Sequence, residues 1–178
     1  MRKSRSIPII IGVLILALGC ANKYVTSGKI AMSGKNYEKA IGDFNKALVT
    51  DSTNAEAHFL LGEAYKRQGQ YVAMNEHYSA ASRFSPKYNE QIKSSRDTVW
   101  SELYLRGIEK AKANNYEEAL KDFQQAIAIQ PQLPQTRINA GVSWQNLNNP
   151  DSALYYYQSG HNLDPNSAEI LVRLGNLY

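Results

Sequence analysis

Cys20 is the single cysteine of the 178-residue chain. A lone thiol is a candidate nucleophile, a buried core residue or a point of covalent attachment. His58, His77 and His161 are scattered; His58 and His77 fall on adjacent helical segments, where ordinary packing or surface histidines are far commoner than a metal pair. Glu63, Glu109 and Glu117–Glu118 read as solvated helix faces rather than as acid–base partners. No GxSxG, HExxH, paired CxxC or glycine-rich phosphate loop occurs. Neither a catalytic set, nor a metal, nor a cofactor is expected, and the chain reads as a non-enzyme.

The residues around Cys20 choose among its roles. Met1 to Ser6 is short and basic, with Arg2, Lys3 and Arg5 and no acid, and "IPIIIGVLILALG" from Ile7 to Gly19 carries no charge. A membrane-crossing helix needs about 20 apolar residues, so this run is short for a span. A charged start, a short apolar stretch and a small residue have the layout of a secretory signal. The first 20 residues resemble a bacterial lipoprotein signal peptide, although Ala17 stands where that family commonly has Leu, and Leu18 where it has a small residue. The resemblance implies cleavage after Gly19, a diacylglycerol on the Cys20 thiol and a palmitate-type acyl chain on its amino group. Each buried methylene contributes roughly 0.8 kcal/mol, so two or three chains on one residue make a near-permanent anchor. An uncleaved membrane anchor and a cytosolic protein with an apolar start are the alternatives. Ala21 in place of Asp resembles lipoproteins sent to the outer membrane, which implies a bacterial envelope location facing the periplasm.

The formal charge of +4 includes Arg2, Lys3 and Arg5, so the chain from Cys20 onward carries about +1, too little to argue for nucleic acid. With one cysteine there is no intramolecular disulfide, and stability has to come from packing. The residues after the leader suffice for a sizeable core.

Repetition organises the rest. Gly28, Gly62, Gly107, Gly141 and Gly175 are separated by 34, 45, 34 and 34 residues. Sixteen places after the first four stand Phe44, Tyr78, Phe123 and Tyr157; nineteen after stand Ala47, Ala81, Ala126 and Gly160. Pro86, Pro131 and Pro165 recur twenty-four places on. In "YEKAIGDFNKALVTD" the apolar residues Tyr37, Ala40, Ile41, Phe44, Ala47 and Leu48 share one helical face. Each unit therefore reads as two helices joined by a polar turn ("GKN", "QGQ", "ANN", "LNNP"), with the prolines stopping each second helix and seeding the next. Single pairs cannot bury their faces alone, so they stack.

This pattern resembles the tetratricopeptide repeat (TPR), from Ala21 to the last residue, and implies an all-α solenoid of stacked antiparallel helix pairs. Units 1–2 span residues 20–88, units 3–4 residues 100–167, and residues 168–178 begin a fifth first helix. His58 and Arg137 replace the usual aromatic near the start of a unit, while Lys110 and Met74 depart elsewhere. Residues 89–99, "NEQIKSSRDTV", are an insertion of eleven. Eleven residues make three helical turns at 3.67 per turn, and Ile92, Val99 and Leu103 keep phase, so one helix is expected from Tyr88 to Ala113; a disordered polar insert is the alternative.

In TPR proteins the ligand usually lies against the first helices. Carried onto this chain, that implies a partner-binding groove drawn from Phe59, Glu63, Tyr104, Ile108, Ile138, Val142 and Gln145, for a helix or an extended protein segment. The Lys and Asn pair that clamps a chaperone tail in some members is absent from the matching positions. The array's own helices filling the groove is the competing expectation. Leu171, Leu174 and Leu177 in "NSAEILVRLGNLY" form an apolar stripe, which points either to a longer array or to a second copy pairing through residues 167–178. The functional expectation is a membrane-anchored scaffold that recruits partners for envelope assembly. A regulatory or sensory envelope lipoprotein, or the TPR part of a longer envelope protein whose functional domain lies elsewhere, are the alternatives.

Overall fold

The computed structural model describes residues 23–177; Cys20 and the whole leader lie outside them. The described residues form helices α1 (residues 23–33), α2 (Tyr37–Thr50), α3 (Ala55–Arg67), α4 (Tyr71–Phe84), α5 (Asn89–Lys112), α6 (Tyr116–Ile129), α7 (Pro134–Asn146), α8 (Pro150–His161) and α9 (Ala168–Gly175), with a 3₁₀ turn at Pro86–Tyr88. Two compact units divide between Ile92 and Lys93. The first holds the hairpins α1–α2 and α3–α4 and the start of α5; the second holds the rest of α5 with α6, and α7–α8 followed by α9.

Every hairpin turns in the same way. Lys35, Gly69, Asn114 and Asn148 adopt positive φ of 58°, 70°, 63° and 55°, and each stands seven residues after its unit's aligned glycine. One residue later, the N–H groups of Asn36, Gln70, Asn115 and Asn149 donate to the carbonyls of Ala31, Tyr65, Lys110 and Trp144 at 2.9–3.0 Å. This six-to-one bond satisfies a carbonyl that the ending helix would otherwise orphan. The next helix is then capped: the side chains of Asn36 and Asn149 accept from the N–H of Lys39 and Ser152 at 3.0 Å. Between hairpins, Asn54 caps α3 through Ala57 N–H at 2.9 Å.

The prolines act differently from the expected pattern. Pro86 opens the 3₁₀ turn, but α7 begins at Pro134 rather than next to Pro131, and Pro165 sits in a turn ahead of α9. Pro134 and Pro150 occupy first-turn positions, where a missing N–H costs no intrahelical bond.

Packing within each hairpin centres on glycine against aromatic. A Cβ built on Gly28, Gly62, Gly107 or Gly141 would lie well inside 3.0 Å of the ring of Phe44, Tyr78, Phe123 or Tyr157, respectively. All four rings are fully buried. The glycines are there because the ring takes the volume of a Cβ. Gly175 has nothing within 4 Å of its Cβ position. Met74 is fully buried in a position where the other units have alanine.

The four rings are of two kinds. Phe44 and Phe123 follow buried acids, Asp43 and Asp122. Tyr78 and Tyr157 instead direct their hydroxyls to Glu63 and, at 3.0 Å, to Gln145 on the partner helix. The inserted residues 89–99 lie wholly within α5, where Ile92, Val99 and Leu103 are all buried.

Candidate functional site

Where the sequence departs from the repeat's aromatic pattern, the structure supplies a polar partner. Lys110 Nζ reaches Asp122 at 2.7 Å, and Arg106 forks onto the same carboxylate at 2.9 and 2.5 Å. Burial alone would raise the Asp122 pKa, but the hydrogen bonds and charges of Arg106 and Lys110 hold it below the ordinary carboxylate value. Asp43 is held low in the same way, first by the Lys39 hydrogen bond at 2.6 Å and then by Ser27 at 2.7 Å. Arg137 donates to Ser159 Oγ at 2.7 Å and to the Pro131 carbonyl at 2.5 Å. His58 meets His77, Nδ1 to Nδ1, at 3.0 Å. Burial lowers the His77 pKa to about 4, helped by the neighbouring His58.

In the first unit, Phe59 and Glu63 both stand on α3, and both are engaged by the unit's own residues. The Phe59 ring stacks on Tyr88 at 4.7 Å between centroids, and also on Tyr78 at 6.1 Å. Glu63 accepts from the Tyr78 hydroxyl and from Lys66 Nζ at 2.7 Å. On the same face, Lys29 of α1 bridges to Glu56 of α3 at 2.5 Å.

The second unit brings its predicted residues together in a graded way. Tyr104 is half-buried on α5; its ring stacks on Trp100 at 5.0 Å, nearly parallel, and its hydroxyl accepts from Asn139 Nδ2 of α7 at 3.0 Å. Burial pushes the Tyr104 phenol upward in pKa. Trp100 Nε1 donates to the buried Thr136 at 3.0 Å, which fixes the indole edge. Ile108 is half-buried against the cluster of Ala119, Leu120, Phe123 and Ala140. Val142 is half-buried beside Leu174 and Leu177, and exposed Gln145 accepts from Tyr157. Ile138 requires correction: it is 6% exposed and belongs to the core with Ala153, Tyr157 and Ile170, so it does not line an open surface. The cause is α9, whose buried Ile170 lies in the same cluster.

Trp100 and Asn139 were absent from the expected site. The i, i+4 spacing of Trp100 and Tyr104 was a usable signal; the pairing of Asn139 with Tyr104 was not, because it crosses 35 residues. Three consecutive tyrosines on α8 differ in burial: Tyr157 is core, Tyr156 is partly buried, and Tyr155 is 66% exposed. Among the described residues no group of three or more His, Cys, Asp or Glu side chains converges as a metal cage, and no helix is long and apolar enough to cross a membrane.

Within each unit, the all-α glycine–aromatic hairpins stack as antiparallel helix pairs, the architecture that the TPR resemblance implies. A TPR repeat model matches residues 28–69, and a tetratricopeptide repeat model matches residues 100–133. The chain is 27% identical over 150 residues to Protein O-mannosyl-transferase TMTC3 of Mus musculus, covering 81% of this chain and 16% of that protein. It is 25% identical over 174 residues to Hsp70-Hsp90 organizing protein 1 of Glycine max, covering 88% and 30%. The chain thus spans less than a third of the length of either relative. Among solved structures, the MamA protein is similar at 19% identity, TM-score 0.44, with 89% of this chain and 81% of that chain covered. Pseudomonas aeruginosa pilF is similar at 20% identity, TM-score 0.41, covering 89% and 68%.

Proposed function

We propose that this chain is a membrane-anchored TPR scaffold that holds a protein partner for cell-envelope assembly. Acyl chains on Cys20 would confine it to the outer membrane, facing the periplasm, and confinement raises the local concentration of whatever the repeats hold. The observation that carries the partner-binding part is the Trp100–Tyr104–Asn139 arrangement. Its two rings are stacked in advance and half-exposed, and its amide is oriented by the Tyr104 hydroxyl and by the Gln135 carbonyl at 3.1 Å. A surface already ordered loses little side-chain entropy on binding. The stacked rings suit an apolar side chain of a helix or extended segment, while Asn139 Oδ1 and Gln145 suit its backbone N–H groups.

Two measurements test the parts separately. A photo-crosslinking residue at Tyr104 should capture a partner in cells, and the pair Tyr104→Ala and Asn139→Ala should abolish co-purification while circular dichroism stays helical. An unchanged pull-down would move the interface elsewhere. Cys20→Ser should lose fatty-acid labelling; continued labelling would show that Cys20 is not the anchor.

A further inference from the structure

His58 near the start of α3 and His77 in the middle of α4 approach each other through Nδ1 at 3.0 Å. The surrounding contacts fix the orientation of both rings. His58 Nε2 lies 3.2 Å from the Ser52 carbonyl, and a carbonyl only accepts, so Nε2 carries the proton of the neutral ring and Nδ1 keeps its lone pair. The His58 ring stacks on Phe84 at 5.7 Å, and His77 lies almost parallel to Tyr65 at 5.5 Å. Both imidazoles are thus held in orientation by neighbours on their own hairpin, yet both remain partly open to solvent.

From this geometry we infer that His58 and His77 form a two-histidine binding site for a divalent transition-metal ion of the zinc type. Zinc–imidazole bonds of about 2.0–2.1 Å place two adjacent ligand nitrogens roughly 2.9 Å apart at a right angle and roughly 3.3 Å apart at the tetrahedral angle. The observed 3.0 Å lies within that range. The His58 Nε2–H on a backbone carbonyl is the outer-shell contact that metal-bound histidines commonly make. Neutral imidazole suits zinc, copper and nickel ions, not magnesium or calcium. Without metal, the His77 Nδ1–H occupies the space between the rings as an N–H···N hydrogen bond. Metal uptake therefore requires His77 to carry its proton on Nε2 instead, a change of tautomer that leaves the net charge of the pair unaltered. Water completes the coordination, since among the described residues no third side chain of the usual ligand types joins the pair. The ion would clip α3 to α4 and stabilise the folded chain by mass action.

The experiment is titration of the full chain with Zn²⁺, in a Cys20→Ser background so that no thiol contributes, followed by calorimetry and by ¹⁵N chemical shifts of the histidine rings. Saturable uptake of one Zn²⁺ per chain is expected, with the Nδ1 resonances of His58 and His77 shifting and those of His161 unmoved. His58→Gln and His77→Gln should each weaken uptake at least ~10-fold, since losing a ligand costs no less than losing an outer-shell partner. His161→Gln, whose native Nδ1 is buried, should bind as the parent does. Circular dichroism checks that each variant is folded, and should a glutamine variant unfold, the parent's ring shifts still decide the question. Absence of uptake, or uptake that leaves both Nδ1 signals in place, would reduce the pair to a hydrogen bond and overturn the site.

Discussion

Gly107 and Phe123 share one space: a Cβ on the glycine would stand 2.5 Å from the ring's Cε1. Gly107→Ala should destabilise the fold by about 1–3 kcal/mol, the usual cost of overpacking a filled core. Phe123→Leu frees the volume that the new methyl needs. The double variant should therefore be less destabilised than the sum of the two single changes, since contacting residues couple. Urea midpoints of the four proteins measure this, and strict additivity would show that the two do not compete.

Lys35 holds a left-handed backbone, at φ 58°, that its counterparts Gly69, Asn114 and Asn148 assign to residues better suited to it. The left-handed region costs an ordinary L-residue roughly 1–2 kcal/mol, offset in part by the greater freedom of an unfolded glycine. Lys35→Gly should raise stability by about 0.5–1 kcal/mol, and Lys35→Asn should move it in the same direction. The side chain is exposed, so a shifted urea midpoint with unchanged helicity reads the backbone effect directly.

Removing the Asp122 carboxylate withdraws the shared partner of Arg106 and Lys110. Asp122→Ala should cost about 1–3 kcal/mol, the range for leaving hydrogen-bonding groups unpaired. Acid should act through the same group. Its folded pKa lies below the ordinary 3.8, so its contribution is complete above that value and is lost as pH falls through the folded pKa. Stability curves of Asp122→Asn should be flatter than the parent's in that acid range.

His77 moves stability at milder acidity. With its folded pKa near 4 against an ordinary 6.5, the unfolded chain binds the extra proton between those values and the folded chain does not. Metal-free protein should lose stability as pH drops from about 6.5 toward 4, then level off for this group. His77→Gln should remove that slope, and an identical slope in the variant would assign it to other groups.

The hairpins were legible because their determinants are local and repeated: glycine, aromatic sixteen residues on, small residue three later. Their turns were visible as short polar words, yet nothing in "GKN" marks Lys35 as the left-handed residue; that emerges only from its register with Gly69, Asn114 and Asn148. The candidate site was less legible. Positions carried over by register assume that each first helix exposes the same face, and Ile138 fails that test because α9 places Ile170 beside it. Phe59 likewise is covered by Tyr88, which comes from the 3₁₀ turn rather than from a repeat position. Asp43 and Asp122 escaped notice although each directly precedes an aligned phenylalanine; a charged residue on an apolar face signals burial only once its cationic partners are located. Three departures from the repeat pattern, Lys110, Arg137 and His58, are each half of a polar pair that only the fold brings together.

Each polar pair beside one of the four aligned rings has both members inside one hairpin: Ser27 with Asp43, Glu63 with Tyr78, Arg106 with Asp122, Gln145 with Tyr157. A hairpin thus travels with everything its own aromatic residue requires. Crossover points for chimeric arrays consequently belong in the links between hairpins, where no such pair is severed. A splice between α3 and α4, or between α7 and α8, would strand a tyrosine hydroxyl wherever the incoming helix came from a phenylalanine-bearing neighbour. Exchanging the two phenylalanine hairpins at a shift of 79 residues keeps ring and acid together, which makes them the natural cassettes for building longer or shorter versions of this chain.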